Sequence, residues 1–248
     1  MKKTFILFAA AVLLLSACGG NQQEASTETT ATTTDTTAAA APEATPDAAT
    51  ADTVAIPAGM TKLGEASGDL DKDGQAEAVA VFNTGKEDDG GKVRELHVYK
   101  KKDGKWDLWK KATGPVMGSE SGGVMGDPFQ EVKIENGAIV LTQSGGSRYK
   151  WTHTHRFRFQ DNDWKLIGAT YKTGTPCEQW ETFDYNLSTG SINYELEKED
   201  CSQSEDNPKV TKSTKTFTNK LKALPSMDGY SAGSNSVELK GTVETFNY

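Results

Sequence analysis

The chain has 248 residues, with 27 basic against 35 acidic side chains, three cysteines and five tryptophans. Its first 17 residues carry two lysines and no acid, so the remainder holds 25 basic against 35 acidic groups, a net charge of −10. That balance excludes nucleic acid as a partner, because such binding needs basic surface that displaces counterions, and it excludes purely electrostatic attachment to anionic lipid. Only 35% of the residues are hydrophobic, and the aromatic and β-branched ones concentrate beyond residue 80. One core of moderate size follows, rather than a two-domain enzyme.

Residues 1–17 read MKKTFILFAAAVLLLSA: two lysines, an apolar run, then small residues. This is the layout of a secretory signal, too short and wrongly flanked for a stable membrane span. The run ends in Leu15-Ser16-Ala17-Cys18-Gly19, which resembles the bacterial lipobox. The resemblance implies that Cys18 is lipidated and becomes the mature N-terminus. Acyl chains contribute roughly 0.8 kcal/mol per buried methylene, so a multiply acylated cysteine stays on a bilayer. Glycine rather than aspartate after Cys18 resembles outer-membrane sorting. The expected location is therefore the bacterial cell envelope, lipid-anchored and on the outer membrane.

Residues 18–59 are built from Thr, Ala, Gln, Glu, Pro and Asp without an aromatic residue. Such a composition buries too little apolar surface to offset its ordering entropy, so this stretch is predicted to be a disordered tether. As a coil of ~40 residues it would reach roughly 35 Å.

From residue 60 to 248 the pattern changes to short alternating or apolar runs separated by Gly, Asp and Asn. Strands are predicted over 76–82, 93–101 and 105–111, the last two joined at Lys102-Asp103-Gly104. Runs at 131–134 and 138–142 flank Asn136-Gly137, a dipeptide that tolerates positive φ and favours tight hairpins. Further strands are predicted over 148–159, 164–170, 180–187, 191–198, 210–217 and 237–246. Many short strands at this spacing, with no long amphipathic helix, mean an all-β antiparallel meander: a sandwich, a barrel or a partial propeller. Parallel βαβ units are excluded because the intervening helical patterns are missing.

The two cysteines in this part make the sharpest local prediction. Ser188-Thr189-Gly190 reads as a three-residue hairpin loop, with Gly190 in the left-handed position of a bulge. Pairing Leu187 with Ser191 and following the ladder outward places Cys177 opposite Cys201. Secretion supplies an oxidising compartment, so a Cys177–Cys201 disulfide is expected, worth roughly 3 kcal/mol on the chain-entropy model.

One motif carries chemistry. Gly68-Asp69-Leu70-Asp71-Lys72-Asp73-Gly74-Gln75-Ala76-Glu77 is an alternating acidic loop that runs straight into an apolar strand. Carboxylates at i, i+2 and i+4 around a turn repel one another unless a hard cation sits among them, and calcium accepts six to eight oxygens. An EF-hand needs its bidentate acid at the twelfth position, which here is Ala80, so that reading fails. The acid at the ninth position instead resembles the calcium loops of FG-GAP/VCBS-type repeats in integrin-like propellers. That resemblance implies side-chain oxygens from Asp69, Asp71, Asp73 and Glu77, and the backbone carbonyl of Gln75, around a structural calcium ion. It departs in having Glu as the final acid and Lys72 where a small residue is usual, and it occurs once.

A second likeness spans about half the chain. Gly126-Asp127-Pro128-Phe129, Asn136-Gly137, Gly145-Gly146-Ser147, Trp164-Lys165-Leu166-Ile167-Gly168 and Asp184-Tyr185-Asn186-Leu187-Ser188-Thr189-Gly190 occur in this order. The order resembles a group of bacterial envelope lipoproteins, which implies a shared fold and carries no activity over.

Trp151, His153, His155, Phe157 and Phe159 alternate along one strand and so share a face. His153 and His155 would ligate zinc or copper only with a third ligand, for which His97 is the one candidate. The same stripe, if exposed, would stack on sugar rings, with Trp180, Tyr185 and Tyr194 extending it. Sealed in the core, it would be structural. Glu178, Glu181 and Asp184 are the best acid/base candidates, and no nucleophile elbow, phosphate loop or dinucleotide fingerprint is present. The expected function is a lipid-anchored, non-catalytic binding or scaffolding module with a structural calcium loop and a protein or glycan partner. The rival is a carbohydrate-binding or glycan-hydrolysing protein that uses an exposed aromatic face.

Overall fold

A computed structural model describes residues 53–204, 206–240 and 245–248, all within one compact unit, Thr50–Tyr248. The signal segment 1–17, the lipidation residue Cys18 and the tether as far as residue 52 lie outside the described residues.

Among the described residues the fold is all-β and antiparallel, without an α-helix. Strands β1 (Thr61–Gly68), β2 (Glu77–Asp88), β3 (Gly91–Lys102) and β4 (Lys105–Ala112) form a four-stranded sheet in chain order. A single 3-10 turn at Gly123–Met125 precedes the second sheet. That sheet has seven strands, also in chain order: β5 (Phe129–Glu135), β6 (Ala138–Gly146), β7 (Lys150–Gln160), β8 (Asp163–Thr175), β9 (Gln179–Asn186), β10 (Ser191–Asp200) and β11 (Lys209–Thr218). Of the architectures left open by the sequence, an open meander is adopted; neither sheet closes on itself.

The sheets share one core. Val79, Val81, Leu96 and Val98 of the smaller sheet pack in a cluster with Ile139, Leu141, Phe157, Leu166, Phe183 and Tyr185 of the larger one. Met227, Tyr230, Leu239, Phe246 and Tyr248 add the C-terminal segment to it. The opposite face of β2 and β3 buries a second, smaller cluster around Ala78, Ala80, Phe82 and Tyr99. Val54, within the stretch assigned to the tether, is buried in that cluster, so packing starts before residue 60.

Three features depart from the sequence prediction. Strand β1 is absent from it, because TKLGEASG offers only Leu63 and Ala66 as apolar residues. Its two glycines explain why it packs: a Cβ at Gly68 would stand 2.8 Å from Ile134 Cγ2, and one at Gly64 would stand 2.9 Å from the Phe129 ring. Next, the predicted strand 237–246 is instead two short strands, β12 (Ser236–Glu238) and β13 (Thr245–Asn247), paired antiparallel. Finally, the β9–β10 hairpin closes at Asn186 and Ser191 rather than at Leu187 and Ser191. Leu187 leaves the ladder because its N–H donates to the Ile167 carbonyl at 3.0 Å while its side chain is buried. The loop therefore has four residues, closed by the Gly190 N–H on the Asn186 carbonyl at 2.8 Å, with Gly190 at φ +83° as expected.

The disulfide forms despite the shifted register. Ladder pairing ends at Gln179 and Lys198; beyond it Cys177 takes φ +63°, and its Cα lies 5.4 Å from that of Cys201.

Candidate metal centre

The acidic loop connects β1 to β2, and its own carboxylates build it. Asp69 accepts the N–H groups of Lys72 at 2.6 Å and Gly74 at 3.1 Å; Asp73 accepts that of Gln75 at 2.8 Å. Such side-chain-to-backbone bonds replace ladder bonds in a tight turn. Lys72 and Gly74 both adopt positive φ, a conformation that costs glycine nothing and lysine a modest strain. Leu70 points inward and is buried in the main core, which anchors the loop at its base.

Three acids converge. One carboxylate oxygen each from Asp69, Asp71 and Glu77 lie within 4.8 Å of one another. Glu77 is buried and its Oε2 accepts the Leu70 N–H at 2.7 Å. Burial raises the Glu77 carboxyl above the usual carboxylate range, and the charges of Asp71 and Asp73 raise it further, against the opposing Leu70 N–H and Lys100. Asp71 Oδ1 is sealed from solvent without a hydrogen-bond partner. An unpaired buried carboxylate oxygen costs free energy, and an oxygen-only donor set of this kind suits a hard cation rather than zinc or copper.

The structure adds a residue that sequence reasoning missed. The Lys100 ammonium, 29 residues along the chain, reaches Asp71 Oδ2 and lies 4.1 Å from the centroid of the Trp109 ring. Its hydrogen bond to Asp71 raises its own pKa. It offsets one of the charges that crowd the loop. No local signal in the sequence marks Lys100, because only the β2–β3 pairing brings β3 beside the loop. Asp73 stands outside the converging trio, near enough for its charge to act on Glu77 and Lys100. Gln75 lies at the end of the loop with its N–H held by Asp73.

The other candidates separate. His153 and His155 stack with ring centroids 5.5 Å apart, facing the core. Burial lowers their pKa values to about 4 and about 3. His97 does not join them: its ring nitrogens engage the Tyr99 hydroxyl at 2.9 Å and Glu95 Oε2 at 2.7 Å. The middle of the aromatic stripe is sealed, since His155, Phe157 and Tyr185 are all buried, while Trp151 and Phe159 at its two ends are half-buried. Trp180 projects from the opposite face of β9, where its Nε1 donates to Glu199 at 3.1 Å. The three acid/base candidates form no pair. Glu178 binds Arg148, Asp184 accepts the Thr170 hydroxyl at 2.7 Å, and Glu181 and Asp184 sit on opposite faces of one strand.

No family model, curated protein or solved structure matches this chain.

Proposed function

We propose that this chain is a lipid-anchored module of the bacterial cell envelope, serving binding or scaffolding rather than catalysis, with a structural calcium ion in the β1–β2 loop. The observation that carries the calcium reading is the convergence of Asp69, Asp71 and Glu77 around a buried, unpartnered Asp71 oxygen. Calcium takes six to eight oxygens with flexible geometry, which tolerates a set in which Asp69 also caps backbone N–H groups. Asp69, Asp71 and Glu77 would hold the ion, with Asp73 adding field at the rim. The ion would neutralise the cluster and tie the loop to the first residue of β2. The anchoring part of the reading rests on the resemblance of residues 15–19 to a lipobox.

Thermal melts of the full chain in calcium and in chelator test the cation. A ligand that binds only the folded state stabilises it by roughly 2.7 kcal/mol at a hundredfold excess over Kd. For a unit of this size that is a rise of roughly 5–10 °C in Tm. Asp71→Asn should abolish the difference, and magnesium should substitute poorly because it gives up its waters reluctantly. Identical melts in calcium and chelator, after metal-free preparation, refute the cation reading. For the anchor, Cys18→Ala should move the protein out of the detergent phase; unchanged partitioning refutes it.

A further inference from the structure

A cleft of about 810 Å³ opens where the start of β7 and the facing part of β8 meet the β2–β3 turn and the segment that follows β4. Its size lies within the roughly 300–1,000 Å³ of small-molecule sites. The aromatic stripe surfaces here. Along β7 the side chains pass from fully buried Phe157 and His155 through His153, 7% exposed, to half-buried Trp151. His153 stacks on Tyr171 with centroids 4.4 Å apart, and Trp151 meets the His153 ring edge-on at 5.4 Å. His153 Nδ1 is buried and has no hydrogen-bond partner.

The polar lining is mostly uncharged. Thr113, Ser121 and Ser231 bring hydroxyls to the cleft, and Asp88 and Asp89 bring carboxylates from the β2–β3 turn. The cation that borders it, Arg94, is committed elsewhere. Its guanidinium binds Asp127 through both terminal nitrogens, donates from Nε to Asn83 Oδ1 at 3.0 Å, and reaches the Met117 carbonyl at 3.3 Å. An anionic ligand would thus meet two acids and no available counter-charge.

The wall is preformed. The Glu120 N–H donates to the Gly90 carbonyl at 2.8 Å, and the Lys92 N–H donates to Ser119 Oγ at 2.8 Å. Gly90 and Gly118 pack backbone to backbone, where a Cβ on Gly118 would fall 2.2 Å from Gly90 O.

We propose that this cleft binds a neutral saccharide, with Trp151 and Tyr171 as the stacking surface, His153 as a hydrogen-bonding wall, and Asp88 and Asp89 accepting hydroxyls at the mouth. A sugar supplies what the cleft asks for. Its C–H faces pack on aromatic rings. Its hydroxyls both donate and accept, which suits neutral imidazole, serine and threonine as well as carboxylate. The cleft is separate from the acidic β1–β2 loop, so this inference goes beyond the cation reading and does not depend on it.

The test applies the full chain in detergent to an array of neutral mono- to trisaccharides, with uronic acids and polyamines as further arms, in calcium and in chelator. Hits are titrated by tryptophan fluorescence and saturation-transfer NMR. The expected result is binding of at least one neutral oligosaccharide, weakened about fivefold or more by Trp151→Ala, as loss of one stacking contact implies. Asp89→Asn, an exposed position that leaves the fold untouched, should weaken it severalfold and decides the matter if Trp151→Ala does not fold. Trp180→Ala, on the other face of the sheet, should leave it unchanged. Absence of any neutral hit at millimolar concentration, binding confined to the charged arms, or affinity indifferent to both Trp151→Ala and Asp89→Asn would overturn the proposal. Unchanged melts in calcium would overturn only the cation reading.

Discussion

The stacked pair His153 and His155 should make this fold sensitive to mild acid. Both imidazoles face the core of β7 beside Tyr171 and Tyr230, with Arg156 the nearby fixed cation. Burial lowers His153 from 6.5 to about 4; burial, with lesser repulsion from His153 and Arg156, lowers His155 to about 3. The unfolded chain takes up protons at these positions as pH falls below about 6.5, and the folded chain does not. Stability is therefore full above that pH and declines below about 6.5, the His153 share levelling off near about 4 and the His155 share near about 3, where each titrates in the folded chain. At about pH 5 each unfolded imidazole lies about 1.5 units below its pKa, which favours unfolding by about 2 kcal/mol per histidine and about 4 for the pair. Urea unfolding at about pH 7.5 and about pH 5 measures the change directly. The double variant His153→Phe/His155→Phe keeps the rings and removes the titration, so the difference between wild type and variant isolates these groups from Glu77 and other carboxyls. Because both His155 nitrogens are buried without partners, His155→Phe should also be neutral or slightly stabilising at neutral pH. A pH-dependent loss below about 1 kcal/mol, or a double variant that retains the wild-type slope, would refute the reasoning.

Four further outcomes are expected. Lys100→Met removes the ammonium that compensates Asp71, so the variant should melt lower than wild type in chelator and regain more on adding calcium; equal calcium-induced shifts in the two proteins would count against that role. Asp127→Asn leaves the buried Arg94 guanidinium half-paired, and because the Asp127 side chain is 50% exposed the cost should be about 1–2 kcal/mol rather than the 3–5 of a fully buried pair. Glu178→Gln, in the exposed pair with Arg148, should cost less than about 0.5 kcal/mol in the same urea assay, and a reversed order would contradict the burial argument. Reducing the Cys177–Cys201 bridge, which spans 24 residues, should cost roughly 3 kcal/mol, read as a Tm difference between Cys177→Ser/Cys201→Ser and the oxidised protein.

Much of the architecture is written locally. Alternation marks β7, glycine and Asn-Gly turns punctuate the meander, and the acidic spacing singles out the β1–β2 loop, because side-chain period and turn chemistry depend on neighbours only a few residues away. The Cys177–Cys201 pairing was equally legible, since hairpin connectivity brings the two together even when the ladder slips by one residue. What the tertiary structure decided is everything that depends on distant segments. Strand β1 exists because Gly64 and Gly68 let it lie against Phe129 and Ile134, and its own composition says little. The Asn186–Ser191 register was set by Leu187 finding the core and the Ile167 carbonyl, a preference that no hairpin rule contains. Lys100 meets Asp71 only once β3 pairs with β2, and Arg94 meets Asp127 and Trp151 surfaces beside the β2–β3 turn only once the two sheets have packed. Sequence reports which face a residue takes along its own strand; which partner waits on that face is decided by how the strands, sheets and loops come together, and it is there that the charges and the cleft of this protein are assembled.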